Sequence, residues 1–224
     1  MLLQELAAAS GVSVASIKFY RREGLLPPGE RITATRQDYG QAHLDRLGLI
    51  AVLREEADAS IPDIRALVTV LDDPSRPVVH ALEIAQAIAA GLPAAMHADA
   101  VPDDEDPLVG ELVRGLGWPD ISSGPRAALD RQLRSMRAAG VPVTSATALR
   151  YGRVLGELAA GDLEAMRRPV DEEANPGRPE EPSRDVVVRR AVLGMVAYER
   201  LAQVVRALAL ASLSVAAEHD ADGR

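Results

Sequence analysis

Apolar residues recur at helical spacing along almost the whole chain. The first set, within residues 2–7, predicts a short amphipathic helix before a tight turn. Ser13 suits an N-cap, and Ile17 and Tyr20 fall on one face of a second helix that Gly24 ends. The pattern therefore predicts a helix, a three-residue turn and another helix.

The segment after these two helices has a different pattern. Pro27 and Pro28 exclude a helix directly after Gly24. Residues 30–39 follow, and β-branched side chains such as Ile32 favour a short two-stranded ribbon there. A ribbon in this position is a wing, so the sequence predicts a winged helix-turn-helix.

The later part of the chain is predicted to be helical, and the expected fold class is mainly α. Apolar stripes predict helices around residues 44–53, 60–71, 78–92, 108–116, 129–140, 149–163 and 185–219. The last of these is apolar on most of its surface, which predicts a central position in an all-α C-terminal domain. The predicted organisation is a winged helix-turn-helix at 1–73, a linking helix at 74–98 and a helical domain at 99–224.

Charge is unevenly distributed in a chain of 224 residues with a formal net charge of -8. Residues 13–36 contain five basic and two acidic side chains, a local charge of +3 inside an acidic protein. Residues 99–107 contain five acids and no base, which is typical of a solvated connector. A mixture of prolines and acids near residues 169–184 predicts a mobile loop.

Several classes of chemistry are excluded or lack the residues they need. The chain has no cysteine, and its four histidines form no i, i+4 pair, so we expect no metal site and no cofactor. The motifs GxSxG, GxxxxGK[ST] and GxGxxG are missing, and the acid clusters lie in proline-flanked loops, so we expect no catalytic residue and no enzyme. Neither a membrane span nor a signal sequence is predicted, which indicates a cytoplasmic protein.

A family resemblance rests on several motifs in the correct order. They are LAAASGVSVASIKFYRREGLLPP, then Arg36 and Tyr39 in the wing, then HLDRLGLIAVLRE and SIPDIRALV. Together they resemble the N-terminal domain of the MerR family of transcriptional regulators over residues 1–73. Two departures are Lys18, where arginine is usual, and the spacing between Arg36 and Tyr39 in the wing.

The resemblance implies a DNA-binding head whose second helix enters the major groove of a promoter. The candidates for facing the groove are Ser13, Ser16 and Lys18, which lie near the start of that helix. The candidates for phosphate contacts are Tyr20, Arg21, Arg36 and Tyr39. The alternatives are that the basic residues form an ordinary solvated helix face and that Tyr20 is mainly a core residue.

The resemblance also implies a homodimer, paired through an antiparallel coiled coil after the winged head. The apolar stripe from Val78 to Leu92 is the candidate seam, and the alternative is a helix packed on its own domain. Family members act on a promoter whose spacer they bend and untwist, so RNA polymerase is an indirect partner. The 74–98 segment is then expected to be the only covalent path between the head and the C-terminal domain.

In the resembling regulators the C-terminal domain binds the inducer, here expected to be a small, largely apolar molecule. The aromatic residues Trp118, Tyr151 and Tyr198 are the ligand-binding candidates, with helix-packing anchors as the alternative. A second hypothesis is a regulator whose helical domain docks a protein instead. A third is an enzyme that carries a vestigial winged head. Exposed apolar helix faces would favour the second, and a buried titratable cluster would favour the third.

Overall fold

The computed structural model describes residues 1–33, 37–92, 103–167 and 182–222, with the side chains of 165–167 and 217–222 left out. It is mainly α, which confirms the predicted fold class. The elements in chain order are α1 (Leu3–Ser10), α2 (Val14–Arg22), β1 (Glu30–Arg31), β2 (Gln37–Asp38), α3 (Gln41–Glu55), α4 (Ile61–Leu71), α5 (Val78–Ala89), α6 (Pro107–Leu116), α7 (Gly124–Ala138), α8 (Ser145–Arg167) and α9 (Arg184–Asp222). In the described residues, no helix, including the 39-residue α9, has the length and apolarity needed to span a membrane.

The chain divides into two compact units that differ from the division expected from sequence. The head unit comprises Met1–Ala94 and Pro182–Arg224, and the inserted unit comprises Ala95–Glu181. The sequence predicts that residues 185–219 belong to the C-terminal domain, but α9 packs on α3 and α5 of the head unit. Helical periodicity identifies an apolar face, whereas the element that covers it depends on the tertiary fold.

The first two helices form because their ends are well specified. Gly11, with φ 70°, ends α1 in the left-handed region that glycine adopts without strain. The Ser13 side chain then caps α2 by accepting a hydrogen bond from the Ser16 backbone N–H at 3.0 Å. This is the predicted helix, turn and helix.

The wing is a two-stranded antiparallel sheet in which Glu30 pairs with Asp38 and Arg31 with Gln37. Gly29 permits the close approach at its base, since a Cβ there would lie 2.5 Å from the Asp38 carbonyl oxygen. The tip of the wing, including Arg36, lies outside the described residues.

Two apolar clusters hold the head unit together. The smaller joins α1, α2 and the wing, and contains the buried side chains of Leu6, Ile17, Leu26, Tyr39 and Leu47. The larger joins α3, α4, α5 and the first half of α9, where Val188, Val192 and Val196 lie at i, i+4 spacing on the buried face. The N-terminal half of α9 is therefore part of the core of the winged head.

The apolar stripe of α5 packs inside its own unit. Ala85 and Ile88 are buried, and Val78 and Leu82 pack against the same large cluster, between α4 and α9. The α5 stripe therefore fits the alternative of a helix packed on its own domain. It is not left open for pairing with a second subunit. Its alanines allow α9 of the same chain to approach and cover it.

The C-terminal half of α9 contrasts with its buried start. Eight large apolar side chains from Tyr198 onward are 53–68% exposed: Tyr198, Leu201, Val204, Val205, Leu208, Leu210, Leu213 and Val215. Arg206 is the only charged residue between positions 201 and 216. An all-round apolar helix is ordinarily covered in a folded protein, so the exposure of this half is unusual.

The inserted unit, considered by itself, is built from α6, α7 and α8. Its small core contains Leu108, Val109 and Leu133. A polar network joins α6 to α7: Asp106 caps α6, its N–H donates to Asp130 at 2.7 Å, and Arg126 donates to both oxygens of Glu105. The N–H of Asp106 is the main cause of the lowered pKa of Asp130.

This network corrects one expectation about the acidic residues near 99–107. Asp106 is buried, and Glu105 is largely covered by Arg126, so these two acids are not part of a solvated connector. Asp103 and Asp104 are exposed, whereas residues 99–102 lie outside the described part of the chain. A run of acids is solvated only where the fold supplies no cations or N–H donors to pair with it.

Candidate nucleic-acid interface

Of the three residues expected to face the groove, Ser13 and Lys18 are exposed and Ser16 is partly buried. Ser13 and Ser16 lie in the first turn of α2, and their hydroxyl oxygens are 2.8 Å apart. Lys18 is exposed two residues after Ser16, while Ile17 between them is fully buried against α1 and α3. Alternation of buried and exposed positions at helical spacing thus fixes which side of α2 is free to meet a partner.

Basic side chains cluster around the C-terminal half of this face. An open depression is lined by Lys18, Arg21, Arg22, Leu26 and Pro28. Lys18 and Arg22 are exposed, and the guanidinium of Arg21 is anchored at its edge. Such a concave cationic surface next to a helix suits a phosphate backbone.

Tyr39 has a positioning role in the structure. Its ring is only 2% exposed, and its hydroxyl accepts a hydrogen bond from Arg21 at 2.8 Å and donates one to Gln37 at 3.0 Å. The structure buries the ring and uses the hydroxyl to hold Arg21, because the wing folds this residue back onto α2. The phosphate contact of Tyr39 stays a prediction.

Tyr20 and Arg36 complete the sequence-predicted set. Tyr20 is half-buried and packs against both apolar clusters of the head unit, which agrees with its core alternative and leaves its phosphate contact a prediction. Arg36 lies outside the described residues, so its contact also remains a prediction.

Two arginines that the sequence analysis did not identify hold the end of α2. Arg65 from α4 donates to the carbonyl oxygen of Glu23 at 3.1 Å and to its carboxylate at 2.5 Å. Arg46 from α3 donates to the carbonyl oxygen of Leu25 at 3.3 Å and is 5% exposed. A signal was present in the sequence, because Arg46 precedes Leu49, Ile50 and Leu53 at helical spacing and so interrupts a buried stripe with a charge.

The ligand-binding candidates are divided between the two units. Trp118 and Tyr151 belong to the inserted unit and are both 43% exposed, whereas Tyr198 belongs to the head unit and is 61% exposed. Trp118 lies on α8 at Gly156, where a Cβ would come within 3.0 Å of its ring. The guanidinium of Arg150 lies over the Tyr151 ring, 5.6 Å from its centroid. Among the described residues, no group of three or more His, Asp or Glu side chains is arranged to hold a metal.

Comparison with known proteins places this head among transcriptional regulators. Residues 1–70 match the family model of the MerR HTH family regulatory proteins. The HTH-type transcriptional regulator ZntR homolog of Haemophilus influenzae is 36% identical over 67 residues, which cover 30% of this chain and 49% of that protein. The HTH-type transcriptional regulator CueR of Vibrio cholerae is 32% identical over 76 residues, 34% of this chain and 54% of that one. The chain therefore spans about half the length of these two relatives.

A solved structure extends the similarity beyond the head. The crystal structure of the "putative transcriptional regulator SCO5550" from Streptomyces coelicolor A3(2) is 30% identical. The match covers 92% of this chain and 95% of that one, with a TM-score of 0.52. The winged helix-turn-helix, its sequence motifs and these similarities agree, and the chain belongs to the MerR family of transcriptional regulators.

Proposed function

We propose that the protein binds double-stranded promoter DNA as a homodimer, with α2 of each subunit in the major groove of one half of a two-fold symmetric operator. The observation that carries this proposal is the exposed face of α2, where Lys18 stands beside Arg21 and Arg22. A helix of nine residues fits the major groove, and the wing lies beside it to reach the backbone. The family consists of transcriptional regulators, so we assign the chain no enzymatic reaction and no cofactor.

We propose that the exposed C-terminal half of α9 is the seam of this dimer, in place of the α5 stripe. Leu201, Val205, Leu208 and Val215 follow the alternating three- and four-residue spacing of a coiled coil, with Ser212 at the intervening position. These side chains are exposed within the subunit, whereas those of α5 are already packed. A stable interface requires roughly 800 Å² from each partner, and a helix of this length with eight large apolar side chains supplies an area of that order.

Antiparallel pairing fits the requirement for two half-sites. In a parallel pair the two α9 helices would carry their heads side by side at one end, about 10 Å apart. In an antiparallel pair centred on Leu208, the two Val192 positions that anchor the heads would lie about 48 Å apart, from a rise of 1.5 Å per residue. Only the second arrangement separates the heads enough for adjacent turns of DNA, about 34 Å apart.

We further propose that the helical inserted unit responds to a small, largely apolar ligand and alters how the dimer distorts promoter DNA for RNA polymerase. An inducer would act by preferring one arrangement of the two heads. A second candidate is docking of a protein on the inserted unit. It is favoured by the exposed apolar residues of α8, where Tyr151, Val154, Leu155 and Leu158 follow helical spacing.

DNA binding is tested with duplexes selected from a random-sequence library by the purified protein. We expect the enriched duplex to contain an inverted repeat, and log affinity to fall steeply with log salt concentration. Lys18→Ala is expected to weaken binding by about tenfold or more and to reduce the salt slope, because both subunits lose a groove-facing cation. Fluorescence anisotropy between 50 and 300 mM salt measures both quantities.

Arg153→Ala is the matched control, because it removes an exposed positive charge from α8 and leaves α2 intact. It should reduce affinity far less than Lys18→Ala. If no duplex is enriched, or if both variants bind as the unsubstituted protein does, α2 is not the DNA-reading element.

A further inference from the structure

The first residues of the chain after the inserted unit are held in the head unit by their side chains. Ser183 donates a hydrogen bond to the Asp45 carboxylate on α3 at 2.7 Å. Arg184 donates to the carbonyl oxygens of Leu71 and Asp73, both at 2.9 Å, and to that of Arg76 at 2.7 Å. The first turn of α9 is thereby fixed to α3 and to the turn after α4. These residues come directly after the inserted unit, which ends at Glu181.

Arg46 is the centre of this attachment. Its guanidinium donates to both oxygens of Asp185 in the first turn of α9 and to the Asp72 carboxylate at 2.6 Å. The same guanidinium donates to the Leu25 carbonyl oxygen at 3.3 Å. Burial lowers the pKa of Arg46, but the hydrogen bonds and charges of Asp72 and Asp185 outweigh it, so this pKa lies above its usual value. Arg46 is therefore a buried cation held by two carboxylates, of which that of Asp185 is largely buried and that of Asp72 is half exposed.

The Leu25 carbonyl connects this ion cluster to α2. The N–H groups of Leu25 and Leu26 both donate to the Tyr20 carbonyl oxygen, at 2.8 and 3.3 Å, and so close the last turn of α2. Leu25 is also fully buried in the large cluster of the head unit. One side chain thus joins the start of α9 to the backbone that ends the DNA-facing helix.

We propose that Arg46 is a positioning residue that couples the start of α9, and through it the inserted unit, to the orientation of α2 on DNA. This inference rests on the proposed DNA-binding function. The head unit contains both segments that flank the inserted unit, so residues 74–98 are not the only covalent connection. A displacement of Pro182 carried along the chain reaches Asp185 within three residues, and Arg46 passes it to Leu25.

A buried ion pair suits this role better than an apolar contact. Its donors and acceptors have few acceptable geometries, and a partner that moves away leaves a buried charge incompletely paired. A guanidinium presents its donors in a rigid fork, so a rotation that follows Asp185 alters the hydrogen bond to Leu25 as well. Coupling through such discrete arrangements is the physical requirement for communication between two sites.

The test compares two isosteric substitutions in the full-length protein, Asp185→Asn and Asp45→Asn. Each removes one negative charge from a contact between α3 and the start of α9, but only Asp185 contacts Arg46. Loss of a negative charge would by itself strengthen DNA binding slightly. We expect Asp185→Asn instead to weaken binding of the selected duplex by about fivefold or more, the usual scale of coupling between sites. Asp45→Asn should leave affinity within about twofold of the unsubstituted protein.

Amide hydrogen exchange distinguishes coupling from general loss of stability. In Asp185→Asn the amides of Leu25 and Leu26 should exchange at least about tenfold faster, while core amides of α4 should keep their rates. Addition of the selected duplex to the unsubstituted protein should in turn slow exchange of Val187, whose N–H donates to Ser183, because coupling is reciprocal. Arg46→Lys keeps the charge but lacks the fork, and it should reproduce the effect of Asp185→Asn.

Three results would overturn the proposal while DNA binding itself stands. They are equal affinities for the two Asn variants, faster exchange spread evenly over the head unit, and no change at Val187 when the duplex binds. Failure of the proposed function would appear earlier, as the absence of any selected duplex.

Discussion

At the scale of single residues, Gly29 determines whether the wing can close. A Cβ at this position would meet the Asp38 carbonyl oxygen at 2.5 Å and the Tyr39 ring at 3.1 Å. Since the first neighbour is backbone, rotation of a side chain cannot relieve the contact. We expect Gly29→Ala to force the two wing strands apart and to lower the free energy of unfolding by about 1–3 kcal/mol. Urea unfolding followed by circular dichroism measures this change.

Gly40→Ala is the control for that substitution, because Gly40 follows the other strand and a Cβ there would have no atom within 4 Å. Its effect on the unfolding midpoint should be smaller than that of Gly29→Ala. An equal loss in both variants would show that the close approach to Asp38 is not the cause, because the lower entropy of the unfolded chain after replacement of a glycine would by itself stabilise the fold.

At the residue scale the sequence predicts the caps of some helices and does not predict the partners of buried polar groups. Ser13 caps α2 as expected, and Ser60 caps α4 in the same way, because a capping hydrogen bond depends on residues within one turn of the chain. Tyr39 and Arg46 have partners 18 and 139 positions away, namely Arg21 and Asp185. No local pattern specifies such partners, so the burial of these two side chains required the tertiary structure.

At the scale of secondary-structure elements, α5 and α9 show the same limit of sequence reasoning. Apolar periodicity predicts both helices, but it does not tell which apolar face is covered by the same chain. The alanine-rich stripe of α5 is covered by α9, and the leucine- and valine-rich end of α9 is exposed. The proposed subunit contact therefore moves from residues 78–92 to the C-terminal half of α9.

The α9 seam can be tested by cross-linking because the chain has no cysteine of its own. In an antiparallel pair centred on Leu208, Leu208→Cys should form an intersubunit disulfide with its own copy. Leu201→Cys should not, since the two positions would be about 21 Å apart and a disulfide needs Cα atoms within about 7 Å. A mixture of Leu201→Cys and Val215→Cys subunits should cross-link. Non-reducing electrophoresis after mild oxidation reports each case.

Charge insertion tests the same seam without a disulfide. Leu201→Asp combined with Leu208→Asp should raise the dimer dissociation constant by about 100-fold or more, because two charges per subunit would be buried against an apolar partner. Val79→Asp provides the control, since Val79 is 50% exposed on α5 and lies outside the seam. Sedimentation velocity at micromolar concentration distinguishes the species. An unsubstituted protein that sediments as a monomer, or Leu201→Cys that cross-links to itself, would contradict the antiparallel seam.

At the scale of the whole molecule, the main departure from expectation is the order of the units along the chain. The sequence indicated an N-terminal head followed by a C-terminal domain, whereas the head unit takes its last helix from the C-terminal segment. Composition placed a break near residues 99–107 and another near 169–184, and these ranges overlap the two ends of the inserted unit, Ala95–Glu181. Residues 99–102 and 169–181 lie outside the described part of the chain, so the predicted mobile loop stays a prediction there. That α9 returns to the head could not be read from either break, because linker composition carries no information about where the next helix packs.

The inserted unit contains a tryptophan, Trp118, whose fluorescence can report ligand binding. Trp118 is the only tryptophan, and it lies on α8 next to the exposed apolar residues of that helix. We expect that screening a library of small, largely apolar molecules will yield compounds that shift Trp118 emission to shorter wavelength, since their binding replaces water around the indole. Leu155→Arg should abolish the shift, because it places a charge in the apolar face, and Arg153→Ala on the same helix should preserve it.

The effect of such a compound on bound DNA distinguishes two mechanisms. In one the ligand changes how the protein distorts the promoter, and in the other it releases the protein from DNA. An inducer changes an equilibrium only by its differential affinity for two arrangements, so it should alter the shape of bound DNA more than the affinity for it. Hydroxyl-radical footprints of the selected duplex should therefore change in the spacer between half-sites while the anisotropy affinity moves by less than about fivefold. In Asp185→Asn the footprint change should be reduced, because the path through Arg46 is weakened. The opposite result is a compound that shifts Trp118 emission and releases the protein from DNA without changing the footprint. That result would indicate that the ligand relieves repression by simple release, and the distortion mechanism would then be wrong for this protein.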